Sequence, residues 1–289
     1  MKIGAVIVLF NPFLAEAQAL VNKVSGQVDA LCVIDNSPRP SELNLDRANL
    51  SYHHFSSNIG IAAAQNVGLS DLCLAKCDRA LLLDQDSLVD EYFVKSLSDQ
   101  LSSAQTDNKR VIAIGPRIVC SFSEKLVKPR VQKELFVHED FVCVTQIISS
   151  GMLIDLHQLE LTGFKDERLF IDGVDHEWCW RARRKNFDVA IANNLYMVHR
   201  LGDARSKFAG ITYKVGSPIR LYYQFRNILI LTRRDYVPLY WKIRNILVMP
   251  IRFFANTFLQ NNKKERLIFM VRGIWDGLRM RDGSYNDNW

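Results

Sequence analysis

The sequence predicts an α/β fold: a mainly parallel, doubly wound (Rossmann-like) sheet followed by a helical C-terminal extension. Three observations carry this. Short apolar runs alternate with helix-patterned stretches through the N-terminal part of the chain. Polar or acidic residues close one apolar run after another. From Pro218 onward the chain turns helical and aromatic with no further strand-helix unit. Such alternation is the pattern of parallel strands joined by helical crossovers.

The elements follow in order. Ile3 to Phe10 is a continuous apolar run of the length of a buried strand, cut short by Asn11-Pro12, and Leu14 to Val24 reads as a helix. Ala30 to Ile34 is a second strand ending in Asp35-Asn36-Ser37-Pro38. Tyr52 to Phe55 is a third, leading through Ser57-Asn58-Ile59-Gly60 into a helix from Ile61 to Leu74. Arg79 to Leu83 is a fourth, ending in Asp84-Gln85-Asp86-Ser87 ahead of a helix from Glu91 to Ser102. Residues 111–119 and 141–154 read as strands around a polar stretch, 121–140, that reads as a loop. A helix from Val174 to Lys185 precedes a strand at Val189 to Ala192 and a segment ending in Met197-Val198-His199-Arg200. The plan is an α/β domain over residues 1–215 and an extension over 216–289.

Composition narrows the class. With 48% apolar and 24% charged residues in 289, the chain is globular rather than disordered. Its net charge of +6 is unevenly spread: residues 1–180 hold 16 Lys and Arg against 24 Asp and Glu, and residues 181–289 hold 21 against 7. An acidic front suits metal and sugar chemistry, and a basic, aromatic back suits phosphate or an anionic membrane. The six cysteines show no CxxC spacing and predict reduced, mostly buried thiols. The apolar start resembles a secretory signal, but one lysine is a poor n-region and Asn11-Pro12 ends the run. No stretch is apolar and long enough to span a bilayer, which predicts a cytoplasmic or peripheral protein.

Asp84 and Asp86 stand one residue apart at a strand end, where two carboxylates can share a divalent cation, Mg²⁺ or Mn²⁺. A diphosphate leaving group needs such a cation to offset its developing charge. A bare pair of this kind can equally be a solvated turn, and the position after the fourth strand is what points to a metal. Asp35 can accept a hydrogen bond from a pyrimidine N–H or a ribose hydroxyl, or can close an Asx turn. The small residues from Asn58 to Gly68, with Gly60 and Asn66 among them, let a helix lie close to sheet and nucleotide, and they are not a dinucleotide fingerprint.

Asp172 and Asp175 lead into a helix whose first turn favours a carboxylate, and Asp175 suits a general base. The bland alternative is that both cap the helix or pair with Arg181 or Arg183. His199 can supply a nitrogen to the same metal or serve structurally. Arg220 and Arg226 can grip a diphosphate or sit beside an aromatic stripe.

Taken in order, these segments resemble the family 2 glycosyltransferases of the GT-A fold, and more closely the bacterial rhamnosyltransferases of O-antigen and related surface polysaccharides. The resemblance covers most of residues 1–230. It implies that Phe10, Asn11, Asp35, Asn58, Gly60, Asn66, Asp84, Gln85, Arg220 and Arg226 frame a nucleotide sugar. It implies that Asp84 and Asp86, with His199, hold the metal, that Asp175 is the catalytic base, and that Gly151, Asp172 and Trp178 lie on the acceptor side. Val174 stands where the family's acidic pair has its first acid, which fits the rhamnosyltransferase-like string Phe170-Ile171-Asp172-Gly173-Val174-Asp175-His176-Glu177-Trp178-Cys179. The resemblance further implies an inverting transfer from dTDP-L-rhamnose to a saccharide on a polyprenyl diphosphate, at the inner face of the cytoplasmic membrane. Another family 2 transferase using a UDP-sugar, or an inactive nucleotide-binding protein, is the alternative.

The tail interleaves Tyr240, Trp241, Phe253, Phe254, Phe258, Phe269 and Trp275 with lysines and arginines. That mixture predicts an interfacial membrane contact, or else packing on the catalytic domain or in a homodimer. A nucleic-acid binder is disfavoured, because it has no use for acids at strand and helix ends. A nucleotidyltransferase would carry a glycine-rich phosphate loop with Arg or Lys after its first strand, where this chain has Phe10-Asn11-Pro12-Phe13.

Overall fold

The computed structural model describes residues 1–120, 126, 133–199, 204–208, 211–215 and 217–285. Its elements run β1 (Ile3–Leu9), α1 (Leu14–Ser25), β2 (Ala30–Asp35), β3 (Leu50–His54), α2 (Ile61–Leu74), β4 (Arg79–Asp84), β5 (Ser87–Leu88) and α3 (Phe93–Asp107). They continue with β6 (Val111–Cys120), β7 (Glu134–Val137), β8 (Phe141–Val144), β9 (Met152–Asp155), α4 (Leu159–Thr162), α5 (Val174–Arg184), β10 (Asp188–His199), β11 (Ala204–Phe208) and β12 (Ile211–Val215). Three helices close the chain: α6 (Pro218–Thr232), α7 (Leu239–Phe258) and α8 (Lys263–Leu278).

The main sheet has the order β3-β2-β1-β4-β9-β6-β10-β8-β7, with β5 paired to the end of β10. Strands β3, β2, β1 and β4 are parallel; the three inner ones, β2, β1 and β4, are apolar and buried along most of their length, as strands covered on both faces require, and the outer β3 is polar and half-buried. The β9 strand is inserted antiparallel between β4 and β6, so the far half is mixed. One core cluster packs α1 and α3 against β1, β2 and β4, and a second packs α2 and α5 on the opposite face. The polar stretch expected as a loop contains a strand, β7, that pairs with β8; residues 121–125 and 127–132 of it lie outside the described residues. Of the described cysteines, Cys32, Cys77, Cys143 and Cys179 are buried free thiols and Cys73 is exposed.

The C-terminal helices bury one face on the sheet layer and one another. Ile228, Ile230 and Leu231 of α6 and Trp241 of α7 join Ala62 of α2 with Val174 and Trp180 of α5 in one apolar cluster. Helices α6 and α8 approach closely because α8 offers Gly273 and Gly277. A Cβ on Gly273 would overlap the Tyr222 carbonyl oxygen, and one on Gly277 would stand 2.9 Å from the Arg226 carbonyl oxygen. Alanine normally stabilises a helix interior relative to glycine. For Gly273→Ala the sign is expected to reverse, with a loss of about 1–3 kcal/mol from overpacking. A urea midpoint equal to or above that of the wild-type protein would contradict this packing.

Candidate active site

The site is assembled where β1, β2 and β4 end side by side. Register places Leu9 opposite Asp35 and Val8 opposite Asp84, so three polar strand ends come level at one edge of the sheet. Open α/β sheets bind their ligands at such carboxyl ends. Hydrogen bonds then tie the three turns together. The Phe10 N–H donates to Gln85 Oε1 (2.7 Å), Gln85 Nε2 donates to the Phe10 carbonyl (3.3 Å), and the Asn11 N–H donates to Ser37 Oγ (2.8 Å). Gln85, between the two acids, is thus a clasp on the first turn.

Asp35 is fully buried and accepts from the N–H groups of Ser37 (2.9 Å) and Ser41 (2.7 Å) and from the Tyr52 hydroxyl (2.9 Å). The Asx turn weighed from the sequence is therefore present, and it shapes the loop at the carboxyl end of β2. Burial pushes this carboxyl up, and hydrogen bonds from Ser37 and Ser41 outweigh it, leaving the group below its usual value. A depressed folded-state value gives stability that is present above the ordinary carboxylate range and lost as pH falls through the folded value. Asp35→Asn is expected to cost about 1–3 kcal/mol near neutrality, because buried donors lose their charged acceptor. It should also flatten the acid limb of the stability curve. Equal acid sensitivity of the two proteins in urea titrations at pH 3 to 7 would refute it.

Asp84 and Asp86 meet Asp175 across the cleft. Burial pushes the Asp84 carboxyl up to about 7, and the like charges of Asp86 and Asp175 add to this, while Arg220 and a hydrogen bond from Ser150 oppose it. The two acids after β4 and the acid of α5 are therefore close enough to act on one another's charge. Asp175 enters from the first turn of α5, and its Oδ2 accepts the Ser149 N–H at 3.0 Å. Ser150 Oγ lies 2.9 Å from Ser87 Oγ, which in turn accepts the Asp84 N–H (3.1 Å), so the loop carrying Ser149 and Ser150 joins the two acidic motifs.

Ahead of α5 the backbone is left-handed at Phe170 (φ 63°), Asp172 (φ 64°) and Gly173 (φ 94°). Such residues cost energy and persist only when their surroundings hold them. Asn227 of α6 does this, its Nδ2 donating to the carbonyls of Leu169 (2.9 Å), Ile171 (2.7 Å) and Asp172 (2.8 Å). Arg220 forks onto Asp172 with contacts of 2.9 to 3.2 Å, and its charge still reaches Asp84. Gly60 (φ 86°), whose N–H donates to Asn58 Oδ1 (2.8 Å), must lack a side chain, because a Cβ would stand 2.7 Å from the Phe170 ring.

The residues fit a divalent cation as a partial donor set. Among the described residues no group of three or more His, Cys, Asp and Glu side chains forms a ready cage. Mg²⁺ and Mn²⁺ sites of transferases commonly take only one or two carboxylates, with substrate phosphates and water completing the shell. Burial, and after it the like charges of Asp86 and Asp175, lift Asp84, and a cation would relieve the second of these. The backbone of His199 lies opposite Ser87 at the end of β10, close in the sheet to Asp86, and its side chain lies outside the described residues.

Several sequence expectations are corrected. Trp178 is fully buried, its indole N–H donating to the Gly163 carbonyl (2.9 Å) and its ring covered by the Lys165 ammonium at 4.6 Å, so it cannot meet an acceptor. Arg226 is also fully buried and spends its N–H groups on Asn227 Oδ1 and on the carbonyls of Arg168, Leu169 and Gly283. Its guanidinium braces the loop and packs over the rings of Tyr222 and Tyr223 instead of facing the cleft. Asn66 is turned to the loop after α4, bonding the backbone of Lys165 and the Glu167 carboxyl. Gly151 (φ 80°) is a turn residue whose N–H donates to the Leu82 carbonyl, with no space for a Cβ beside Pro116. Sequence reasoning missed Ser87 and Ser149, whose roles arise from contacts between distant loops. It also missed the buried Lys165, lowered by burial and opposed by the Asp175 charge.

A mixed α/β sheet with an acid pair at the end of its fourth strand is the architecture of the GT-A glycosyltransferases, and the chain's similarity to known transferases gives the class. No protein-family model matches the chain. The dTDP-rhamnosyl transferase RfbF of Shigella flexneri is 31% identical over 300 residues, a match covering 99% of each chain. The protein belongs to the same rhamnosyltransferase-like family of enzymes. Solved structures share the fold at low identity. GalNAc-T7 with UDP, GalNAc and Mn²⁺ superposes with a TM-score of 0.56 at 13% identity, over 96% of this chain and 56% of that one. S. aureus TarS 1–349 gives 0.55 at 13%, over 97% and 82%, and its complex with UDP-GlcNAc gives 0.54. No described helix is long and apolar enough to cross a membrane.

Proposed function

We propose that the protein transfers L-rhamnose from dTDP-L-rhamnose, with inversion, to a saccharide carried on a polyprenyl diphosphate in surface-polysaccharide (O-antigen) assembly. The observation that supports this is the tie between the two acidic motifs at the carboxyl end of the sheet: Asp175 accepts the Ser149 N–H, Ser150 meets Ser87, and Ser87 accepts the Asp84 N–H, which brings Asp84 and Asp86 within reach of the charges of Asp175 and Arg220. The sugar and base follow the Shigella relative's name, and nothing in the pocket geometry selects them.

In this reading Asp84 and Asp86 would hold a divalent cation, which when bound would supply positive charge to offset that of the departing dTDP. The turns at Phe10-Asn11, Asp35 and Asn58-Gly60 flank the nucleoside. Asp175 accepts the proton of the acceptor hydroxyl as its oxygen bonds to the anomeric carbon and the bond to the diphosphate oxygen breaks. Arg220 keeps Asp172 oriented and offsets the acid cluster.

Residues 1–215 serve as the catalytic domain and 216–289 as an extension that rests peripherally on the cytoplasmic membrane face. Ile243, Leu247, Ile251, Phe254 and Phe258 along α7 are each more than half exposed, and the surrounding sequence is basic, which supports an interfacial helix. The same stripe also suits a homodimer. Incubation with Mn²⁺ and separate dTDP-rhamnose, UDP-GlcNAc and UDP-GalNAc, with and without crude lipid-linked acceptor, tests the donor by release of nucleotide diphosphate. Acceptor-stimulated release from a UDP-sugar alone would replace rhamnose in this scheme.

A further inference from the structure

A second cavity, of about 590 Å³, lies between α6 and α7. Asp172, Gly173 and Arg220 line it, so one wall is the segment that leads to Asp175. Its size is that of a small-molecule site. Arg244 and Arg252 of α7 both line it, and both are only partly exposed. Among the described residues neither guanidinium has a hydrogen-bond or ion-pair partner. Arg252 is pushed down by burial and then by the charge of Arg244, with Asp172 opposing. Two cations held near one another in a half-desolvated cavity repel, and the arrangement is relieved by an anion between them. Arginine is also the residue whose planar fork fits phosphate oxygens.

Arg220 also lines the cavity but is forked onto Asp172, so it is Arg244 and Arg252 that offer their forks to an anion there. Leu221, Ile228 and Trp241 supply apolar wall, and Ile251 belongs both to the cavity and to the exposed stripe of α7. We infer that this cavity takes the phosphate groups of a lipid-borne acceptor, gripped by Arg244 and Arg252, with the hydrocarbon chain leaving along α7. The assignment rests on the reading of the enzyme as one with a lipid-linked acceptor, and binding to the resting protein tests it independently of turnover.

Farnesyl diphosphate, farnesol and inorganic pyrophosphate serve as probes with the full chain in EDTA, read by tryptophan fluorescence, since Trp241 forms part of the wall. Farnesyl diphosphate is expected to give a saturable change that farnesol does not, with pyrophosphate weaker. The Trp241→Phe protein should lose the signal. Arg244→Gln and Arg252→Gln should each weaken farnesyl diphosphate about tenfold or more, as loss of a charged hydrogen-bond donor does. Arg244→Lys and Arg252→Lys should recover part of it, which separates loss of charge from loss of fold. Affinity for dTDP with Mn²⁺ should stay within about twofold throughout, below the tenfold step expected of a lost contact. Wild-type affinity in the double Gln variant would overturn the site, and a parallel loss of dTDP affinity would assign the arginines to the donor. Equal binding of pyrophosphate and farnesyl diphosphate would remove the lipid. A donor panel without turnover leaves these binding outcomes unaffected.

Discussion

Asp175→Asn is expected to lower turnover by about 10²- to 10⁴-fold, the usual contribution of a general base, while leaving dTDP affinity near that of the wild-type protein. Asparagine keeps the oxygen that accepts the Ser149 N–H, so α5 and its loop should stay in place. What it loses is a group able to take the acceptor's proton. Single-turnover measurements with saturating donor isolate this step from product release. Wild-type turnover would send the search for the base to Asp172. That carboxylate is forked by Arg220, so the Asp172→Asn protein should also show disturbed folding, a difference that separates the two.

Asp86→Ala should act at the other side of the pocket. If Asp84 and Asp86 share a cation as proposed, removing one is expected to reduce turnover by about a hundredfold or more, since a bound metal contributes several kcal/mol to leaving-group stabilisation. The Mn²⁺-dependent part of dTDP binding should vanish with it. Calorimetric titration of dTDP with and without Mn²⁺ measures that part directly. A metal-dependent affinity equal to that of the wild-type protein would exclude Asp86 as a ligand. The like-charge pressure on Asp84 would also fall, so the Asp84 carboxyl should ionise more readily in the variant.

Strands β1, β2 and β4 were legible in the sequence because each is an apolar run stopped by polar residues, helix α2 was read to its boundaries, and the polar β3 was placed two residues late, at Tyr52 rather than Leu50. The far half was not. Strand β10 was read as two pieces because Asn193 and Asn194 interrupt its apolar pattern, and a register shift between Ile191 and Tyr196 marks the same place in the ladder. Its lower part pairs with β8 and its end with β5, a two-residue strand that no periodicity reveals. At the site, the acids were readable from their positions at strand and helix ends. Trp178 and Arg226 were misread for a common reason. Each is covered by a segment remote in sequence, the loop at Gly163 to Lys165 in one case and the loop at Arg168 to Leu169 in the other. Which way a side chain faces depends on what arrives to cover it, and local pattern does not contain that.

Asn227 gives the C-terminal part of the chain a stake in the chemistry. One amide from α6 secures three carbonyls of the twisted segment that presents Asp172 and leads to Asp175. That helix is itself seated against α8 through glycines too small to replace. A protein shortened before α6 would retain every acid of the pocket in its sequence and lose the buckle that aims two of them. The tail is thus part of the machine's frame, and cutting it away cannot serve as a clean probe of lipid contact.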